Sequence, residues 1–347
     1  DTVFVTLGMR AALCAIDAAT GEILQTYPET KPTEEVVYEG GTLFALVNPG
    51  ESDLTRYGPK LNTGDQGRVA REHRWNEKPR RIVAVQPDGE VLWEVDSVVA
   101  PLTLAADAKR VFYHDGKKLV CLNRDTGDQL WTSVPVDRRQ RVTFNFGPKL
   151  VLYQNMVLFA GGDRKMRGLN IETGEQVWEA PHAQSGYQSP EDLLVAGGLV
   201  WNAPTTRTQD TGVFTGRDPF TGEAKIEFPP DVETYWFHHR CYIAKATDKF
   251  LLPSRTGIEF VDTSSKHWDI NHWVRGGCLY GVMPCNGLVY APPHNCACYP
   301  EAKLFGFNSL AAQSENRTVP DEIPDAGRME KGPAFLANAQ DLQATNL

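Results

Sequence analysis

The sequence predicts an all-β fold, a β-propeller of seven four-stranded blades. Three observations support this prediction. One short unit recurs seven times along the chain, each interval between well-formed copies contains about four short strands, and no segment has the apolar periodicity of a useful helix. The 347 residues are 41% hydrophobic and 23% charged, which is typical of a globular protein.

The recurring unit is a strand, an Asp or Asn, a Thr-Gly turn and a second strand that often contains Trp. Its sharp copies begin at Ala15, Ala84, Cys121, Gly168 and Gly216, and two degenerate copies begin at Phe260 and Gly306. Glycine in the turn reaches positive φ at little cost, which allows two strands to form a tight hairpin. Successive turn glycines from Gly89 to Gly222 are 38, 47 and 48 residues apart, the length of one four-stranded blade.

We expect two segments, a propeller over residues 1–312 and an acidic, proline-rich tail or linker over residues 313–347. The propeller contains a polar insertion loop at 48–80, because the interval between the first two copies is too long for one blade. Loops of this length in a compact domain are often lids or solvated excursions. The first copy lacks an obvious strand before Thr2, so the ring closes through the tail or an absent partner segment, or its closure is not complete.

Charge and hydropathy exclude two classes of partner. A net charge of −9 argues against nucleic acid, because phosphate binding needs a dense basic surface. No apolar run approaches the roughly 20 residues of a transmembrane helix. The chain starts at Asp1 directly in an apolar strand, so we expect a processed protein or part of a longer polypeptide, whose remainder is a candidate partner.

The seven cysteines fall into two groups. Cys14 and Cys121 lie in strand patterns and are predicted to be buried thiols. The disulfide candidates crowd the last third of the chain: Cys241, Cys278, Cys285, Cys296 and Cys298. Such clustering favours an oxidising compartment, so we expect a periplasmic or secreted protein. His238, His239 and His294 could add nitrogen ligands, but the paired Cys-x2-Cys spacing of structural zinc is absent, and no metal is predicted.

The segment 234–255 has the highest density of side chains that could bind a ligand or transfer a proton. If it is extended, Trp236, His238 and Arg240 share one face of the strand. The candidate catalytic residues are Tyr187, His238, His239 and Tyr280, and the candidate substrate-binding residues are Arg217, Trp236, Arg240, Arg255, His272 and Arg275. Loops of successive blades converge on one end of the channel, so we expect these side chains to meet in one pocket.

These residue types suit an anionic polysaccharide or oligosaccharide. Arginine pairs with carboxylate or sulfate, aromatic faces stack on sugar rings, and His and Tyr move protons. In a β-elimination, Arg255 and Arg275 would neutralise a uronate, His238 or His239 would act as the base, and the acid would be a tyrosine, Tyr187 or Tyr280. The sequence therefore predicts a carbohydrate site and a candidate polysaccharide lyase. The alternative is that these side chains bridge neighbouring blades through hydrogen bonds.

The repeat of strand, Asp-x-x-Thr-Gly, strand and Trp resembles the quinoprotein-like β-propellers. Segments such as SGYQSPEDLLVAGGLVW and HWVRGGCLYGVMPCNGL are similar to large extracytoplasmic PQQ-binding-like repeat proteins of planctomycete-type bacteria. The resemblance implies two further functions, a dehydrogenase dependent on pyrroloquinoline quinone and a non-catalytic scaffold like the outer-membrane assembly lipoprotein. For the dehydrogenase it also implies an adjacent Cys-Cys pair and Glu, Asn and Asp ligands to calcium. Ala297 separates Cys296 from Cys298, so no adjacent pair exists and the cofactor stays unknown.

Overall fold

The fold was described from a computed structural model. The structure describes residues 1–8, 10–52, 74–143, 147–183, 191–202, 206–207, 210–231, 242–253, 257–278, 280–294, 302 and 304–313. The chain divides into two compact units. The first, Asp1–Leu310, holds almost all of the described structure, whereas the second, Ala311–Leu347, is described only at residues 311–313. The predicted tail therefore lies almost entirely outside the described residues.

The described residues form 28 strands and one short 3-10 helix, Pro28–Thr30. The strands are β1 Thr2–Thr6, β2 Leu13–Asp17, β3 Ile23–Tyr27, β4 Thr33–Glu39, β5 Thr42–Val47, β6 Pro79–Val85, β7 Val91–Val98, β8 Ala105–Ala106, β9 Arg110–His114, β10 Lys118–Asn123, β11 Gln129–Pro135, β12 Lys149–Tyr153, β13 Met156–Ala160, β14 Lys165–Asn170, β15 Gln176–Pro181, β16 Leu194–Ala196, β17 Leu199–Trp201, β18 Thr206–Arg207, β19 Asp210–Thr211, β20 Phe214–Arg217, β21 Ala224–Phe228, β22 Lys245–Ala246, β23 Phe250–Leu252, β24 Ile258–Asp262, β25 Trp268–Asn271, β26 Met283–Cys285, β27 Leu288–Ala291 and β28 Asn308–Ala311.

Apart from β18 and β19, the strands form seven sheets, and the chain completes each of these sheets before it starts the next. Blade 1 is β1–β3, blade 2 β4–β7, blade 3 β8–β11, blade 4 β12–β15, blade 5 β16, β17, β20 and β21, blade 6 β22–β25, and blade 7 β26–β28. The structure confirms the predicted seven-bladed β-propeller. Among the described residues, blades 2 to 6 have four strands and blades 1 and 7 have three, while β18 and β19 form a small extra hairpin inside blade 5.

The repeat motif joins each blade to the next. The indole Nε1 of Trp93 donates to the backbone oxygen of Arg124 at 2.7 Å, and its ring covers Gly127 in the Thr-Gly turn of blade 3. Trp131 and Trp178 do the same one and two blades later, with carbonyl acceptors 3.1 and 2.8 Å away. Glycine is therefore required at position 127 for two reasons. Its φ of 75° is positive, and the Trp93 ring leaves no room for a Cβ atom.

The C-terminal end of the predicted insertion packs against the propeller. Trp75 is buried in a cluster with Ala100 and Val142, and the guanidinium of Arg138 lies 4.8 Å from its ring centre. Strand β6 then begins at Pro79, so the loop between β5 and β6 spans residues 48–78 rather than 48–80. Residues 53–73 of this loop lie outside the described residues.

Candidate functional site

The two ends of the propeller carry different structures. The first strands of blades 2 to 7 are called the inner strands, β4, β8, β12, β16, β22 and β26. Inner strands of neighbouring blades contact each other, for example β4 with β8 and β16 with β22, so they line the central channel. Because the strands within each blade are antiparallel, the inner strands all begin at one end, the loop end, and the Thr-Gly turns all lie at the other, the turn end.

Four of the ten predicted site residues lie in the described part of the chain. His272 follows β25 directly at the loop end, and Arg275 and Tyr280 come shortly after it. Arg217 ends β20 at the turn end, where its Nη1 donates to the Gly222 oxygen at 3.0 Å, so the structure does not bring it together with the other three. The remaining predicted residues lie outside the described residues: Tyr187, Trp236, His238, His239, Arg240 and Arg255.

Arg275 is built into the interior of blades 6 and 7. It is 5% exposed, and its guanidinium carbon lies 5.9 Å from the ring centre of Tyr242. The Tyr242 hydroxyl donates to the Gly257 oxygen at 2.8 Å and accepts from the Gly276 N–H at 3.2 Å. Burial, followed by the neighbouring charge of Arg275, lowers the pKa of His294. The described environment of Arg275 is thus that of a side chain that orders the loop end.

A second buried group joins blades 4, 5 and 6 at the loop end. Glu191 forms an ion pair with Arg139, and its other oxygen lies 3.6 Å from Nδ1 of His182. His182 Nε2 lies 2.5 Å from the Asp192 backbone oxygen, and the Asp192 carboxylate accepts from the Ala244 N–H at 3.0 Å. His182 and both acids are at most 2% exposed. This group bridges blades, which agrees with the structural alternative left open for the His and Arg residues.

His114 is a further histidine whose ring is engaged by contacts inside the propeller. It is fully buried and stacks on Phe159 with ring centres 4.8 Å apart. Its Nε2 lies 2.9 Å from the Val136 oxygen and its Nδ1 accepts from the Gly116 N–H at 3.0 Å. Burial lowers its pKa to about 4, so the ring is neutral at physiological pH and its hydrogen bonds fix the tautomer.

The inner strands place charged side chains around the channel, and the sequence analysis did not single them out. Glu35 of blade 2, Lys149 of blade 4 and Asp192 of blade 5 each lie four residues before the turn into the second strand. Lys245 of blade 6 lies two residues before that turn, one step further into the channel. Counting back from each turn would have found them, because equivalent positions in successive blades lie at equivalent heights.

The electrostatics of this group follow from desolvation. Burial raises the pKa of Glu35 to about 7, against the opposing effects of its hydrogen bond from the Leu102 N–H at 2.9 Å and of the charge on Lys149. Glu35 keeps partial solvent exposure through the channel although protein surrounds it. Burial and then the charge of Lys149 lower the pKa of Lys245, while Asp192 opposes this.

An apolar surface covers the loop end of blades 6 and 7. It consists of Trp273, Tyr280, Met283, Leu304, Phe305 and Phe307, which are 44 to 82% exposed, and it is called the blade 7 surface. Two of its segments are joined directly, since the Leu304 N–H donates to the Trp273 oxygen at 3.2 Å. Met283 pairs with Tyr290 across β26 and β27, and the Tyr290 ring lies 6.1 Å from Phe307.

The cysteine predictions are met in part. Cys14 and Cys121 are buried thiols as predicted, and burial raises the pKa of Cys121 to about 12. Cys278 and Cys285 lie in the described part of the chain and no disulfide joins them to each other. Cys241, Cys296 and Cys298 lie outside the described residues, so a disulfide among them stays a prediction.

The described residues do not supply the two features that the resemblance implies for a quinone site. Within the described ranges, no group of three His, Cys, Asp or Glu side chains could hold a metal ion. The sequence also contains no adjacent pair of cysteines. We therefore derive no redox step. None of the helices in the described residues has the length and apolar character to cross a membrane.

Fold and repeat motif together define a seven-bladed β-propeller, and its repeat is similar to that of the quinoprotein-like β-propellers. Residues 78–227 match the sequence model of a family described as outer membrane protein assembly factor BamB. This match covers blades 2 to 5 in part or in full, the region where the Thr-Gly and Trp motifs are sharpest.

Individual proteins show the same relationship. The chain is 26% identical over 242 residues to quinoprotein alcohol dehydrogenase PedH of Pseudomonas putida, covering 66% of this chain but only 35% of that protein. The structure of BamB from Moraxella catarrhalis matches with a TM-score of 0.54 at 13% identity, over 84% of this chain and 78% of that one. The computationally designed Ika8 protein matches with a TM-score of 0.52 at 12% identity, over 84% and 77% of the two chains. At these identities the two structures share the fold alone with this chain.

Proposed function

We propose that this chain is an extracytoplasmic binding scaffold that holds a partner protein on the blade 7 surface. The observation that carries the proposal is the surface itself. Six large apolar side chains stand exposed together at one end of the ring, among them Phe307 at 69% and Trp273 at 65%. Contiguous exposed apolar side chains on a globular protein mark interaction sites, and aromatic residues and Met are enriched at such interfaces.

Two further observations support a binding role. Most of the described histidines and arginines at the loop end form contacts between blades, as in the group of Arg139, His182 and Glu191. The family whose model matches residues 78–227 is described as an outer membrane protein assembly factor, and a binding role agrees with that description. A scaffold needs a rigid frame with an accessible apolar face, which is the arrangement at the loop end.

The test uses photo-cross-linking in the native host followed by reconstitution. A photoreactive phenylalanine at position 307 is compared with one at position 130, because Leu130 is an exposed aliphatic residue near the turn end, 51% exposed. A protein captured at position 307 is then purified, and its affinity is measured for the wild type and two variants. We expect the double variant Trp273→Ser and Phe307→Ser to lose affinity by about tenfold or more. Leu130→Ser should bind like the wild type.

Two results would contradict the scaffold proposal. One is that no protein cross-links at position 307 above the level seen at position 130. The other is that the purified partner binds the double variant as tightly as the wild type, which would mean that the blade 7 surface is not the binding face. Circular dichroism of each variant shows whether the propeller remains folded.

A second candidate is the anionic carbohydrate site predicted from the sequence. Exposed rings favour it, since Tyr280 is 82% exposed and Trp273 lies next to His272 on the same segment. Its elimination chemistry needs His238 or His239 and Arg255, which lie outside the described residues. Uronic-acid polysaccharides are incubated with wild type, His238→Ala and Arg255→Ala while the absorbance of unsaturated uronates is followed. A rise that both variants lose supports the lyase, and a flat trace removes it for the substrates tried.

A further inference from the structure

Two lysines of the inner strands differ from several buried arginines in the described part of the chain. Those arginines are paired with acids: Arg80 with Glu34 at 3.0 Å, Arg167 with Asp163 at 2.6 Å and Arg139 with Glu191. Lys149 and Lys245 are both partly buried, yet neither has an ion pair or a side-chain hydrogen bond in the described structure. A desolvated ammonium without a counter-ion is costly, so this arrangement calls for an explanation.

The two ammonium groups share one space. Each lysine is the first residue of its inner strand, Lys149 of β12 in blade 4 and Lys245 of β22 in blade 6, and β22 contacts the inner strand of blade 5 between them. Burial, and after it the charge of Lys149, lowers the pKa of Lys245, so the two ammonium groups are near enough to interact. Two like charges in a partly desolvated channel destabilise each other unless an opposite charge lies between them.

The acids that face the same space do not neutralise both lysines. Asp192 already accepts the Ala244 N–H, and its backbone oxygen faces His182. Glu35 accepts the Leu102 N–H, and with a pKa raised to about 7 it is only partly ionised at neutral pH. Glu34 is engaged by Arg80. Two ammonium groups therefore face the Asp192 carboxylate and the partly ionised Glu35, which leaves a net positive charge at the loop end of the channel.

We propose that the loop end of the central channel binds a small anion, a carboxylate or a phosphate, between Lys149 and Lys245. The ammonium group suits such a site, because it presents three rotatable donors on a flexible stem and binds anionic oxygens as a point charge. The inner-strand positions at the depth of Lys245 are otherwise apolar, with Val37, Val151 and Leu194. A ligand with a charged head and a small body therefore fits better than an extended polyanion.

Isothermal titration of the full chain in a low-salt buffer tests the proposal. The probes are citrate, inorganic phosphate and glucuronate, which separate polycarboxylate, phosphate and sugar-acid sources of the anion. Lys149→Met and Lys245→Met keep the length of the side chain and remove its charge. Lys78→Met is the matched control, because Lys78 is an exposed lysine just before β6 at the same end of the propeller.

We expect saturable binding of at least one probe, weakened about tenfold or more by each channel variant and unchanged in Lys78→Met. Thermal unfolding without added anion provides an independent readout. Lys245→Met should unfold at the same or a higher temperature than the wild type, since it removes an unpaired charge, and should no longer gain stability when the anion is added. If no probe binds saturably, or if both channel variants bind like the wild type, the channel is not an anion site. Neither result bears on partner binding at the blade 7 surface, which uses other residues.

Discussion

The turn end and the loop end of this propeller are built by different kinds of interaction. At the turn end, Asn123 accepts the N–H groups of Asp125 and Thr126, and Asn170 accepts the equivalent pair one blade later. At the loop end, one group joins Arg139 to Glu191, 52 residues apart, and no equivalent group recurs among the described residues. Contacts that repeat from blade to blade, within each turn and from a Trp to the next turn, therefore make the frame, whereas contacts outside the repeat make the surface that differs from blade to blade.

The largest effect is expected from breaking the loop-end group. Glu191→Ala leaves Arg139 without its partner in a buried site and should lower the free energy of unfolding by about 3 kcal/mol. Glu191→Gln keeps a hydrogen-bond acceptor and should lose less. Denaturant unfolding followed by fluorescence measures the change, with Glu22→Ala as the control because Glu22 is an exposed turn residue. A loss equal to that of the control would mean that this group does not hold the blades together.

The turn end is tested by adding one carbon atom to a turn glycine. A Cβ at Gly174 would lie 2.5 Å from the Trp131 ring, and φ there is 73°. Gly174→Ala should therefore cost about 2–3 kcal/mol, the sum of left-handed strain and overpacking. Gly21→Ala is the matched control, because its φ is 75° but no atom lies within 4 Å of its Cβ. It should cost only about 1 kcal/mol. Equal losses in urea unfolding would show that the ring contact contributes nothing.

Replacing Glu35 tests whether the channel desolvates its carboxyl group, through the pH dependence of the free energy of unfolding. Its pKa rises from 4.5 to about 7 on folding, so ionisation is harder in the folded state than in the unfolded state. Stability contributed by the neutral carboxyl is present below pH 4.5, falls as the pH rises towards 7, and is absent above it. Glu35→Gln should therefore stabilise the protein by ~1–2 kcal/mol at pH 8 and change little at pH 4.5.

Thermal melts across this pH range measure the effect of Glu35→Gln. Glu22→Gln serves as the control, because it makes the same chemical change at an exposed turn residue. A pH-independent difference for Glu35→Gln would contradict a raised pKa and would indicate that solvent in the channel hydrates the carboxylate fully.

The comparison also explains what the sequence could predict. Seven copies of the motif indicated seven blades, because the motif lies within about a dozen residues and is visible in the sequence. That the Trp93 ring contacts the next turn at Gly127 was seen only in the structure. The site was harder to predict. Arg275 was singled out by residue type, but its burial against Tyr242 depends on how two separate loops meet. Lys245 looks like any strand lysine in the sequence, and only its place on an inner strand brings it near Lys149.

The smallest effect is expected in blade 6, where the degenerate copy of the motif has no glycine at the turn position. Lys266 takes the place of the turn glycine there, with φ at 63°, and its N–H donates to the Asp262 oxygen at 2.8 Å, as Gly127 does to Asn123 at 2.9 Å. Replacing Lys266 with Gly relieves left-handed strain and should stabilise the protein by about 0.5–1 kcal/mol. Lys225→Gly is the opposite control, because a glycine inside β21 should destabilise the strand by a similar amount. If Lys266→Gly also destabilises the protein in chemical unfolding, the turn of blade 6 does not follow the geometry of the sharper copies, and the difference between the two ends is smaller in the later blades.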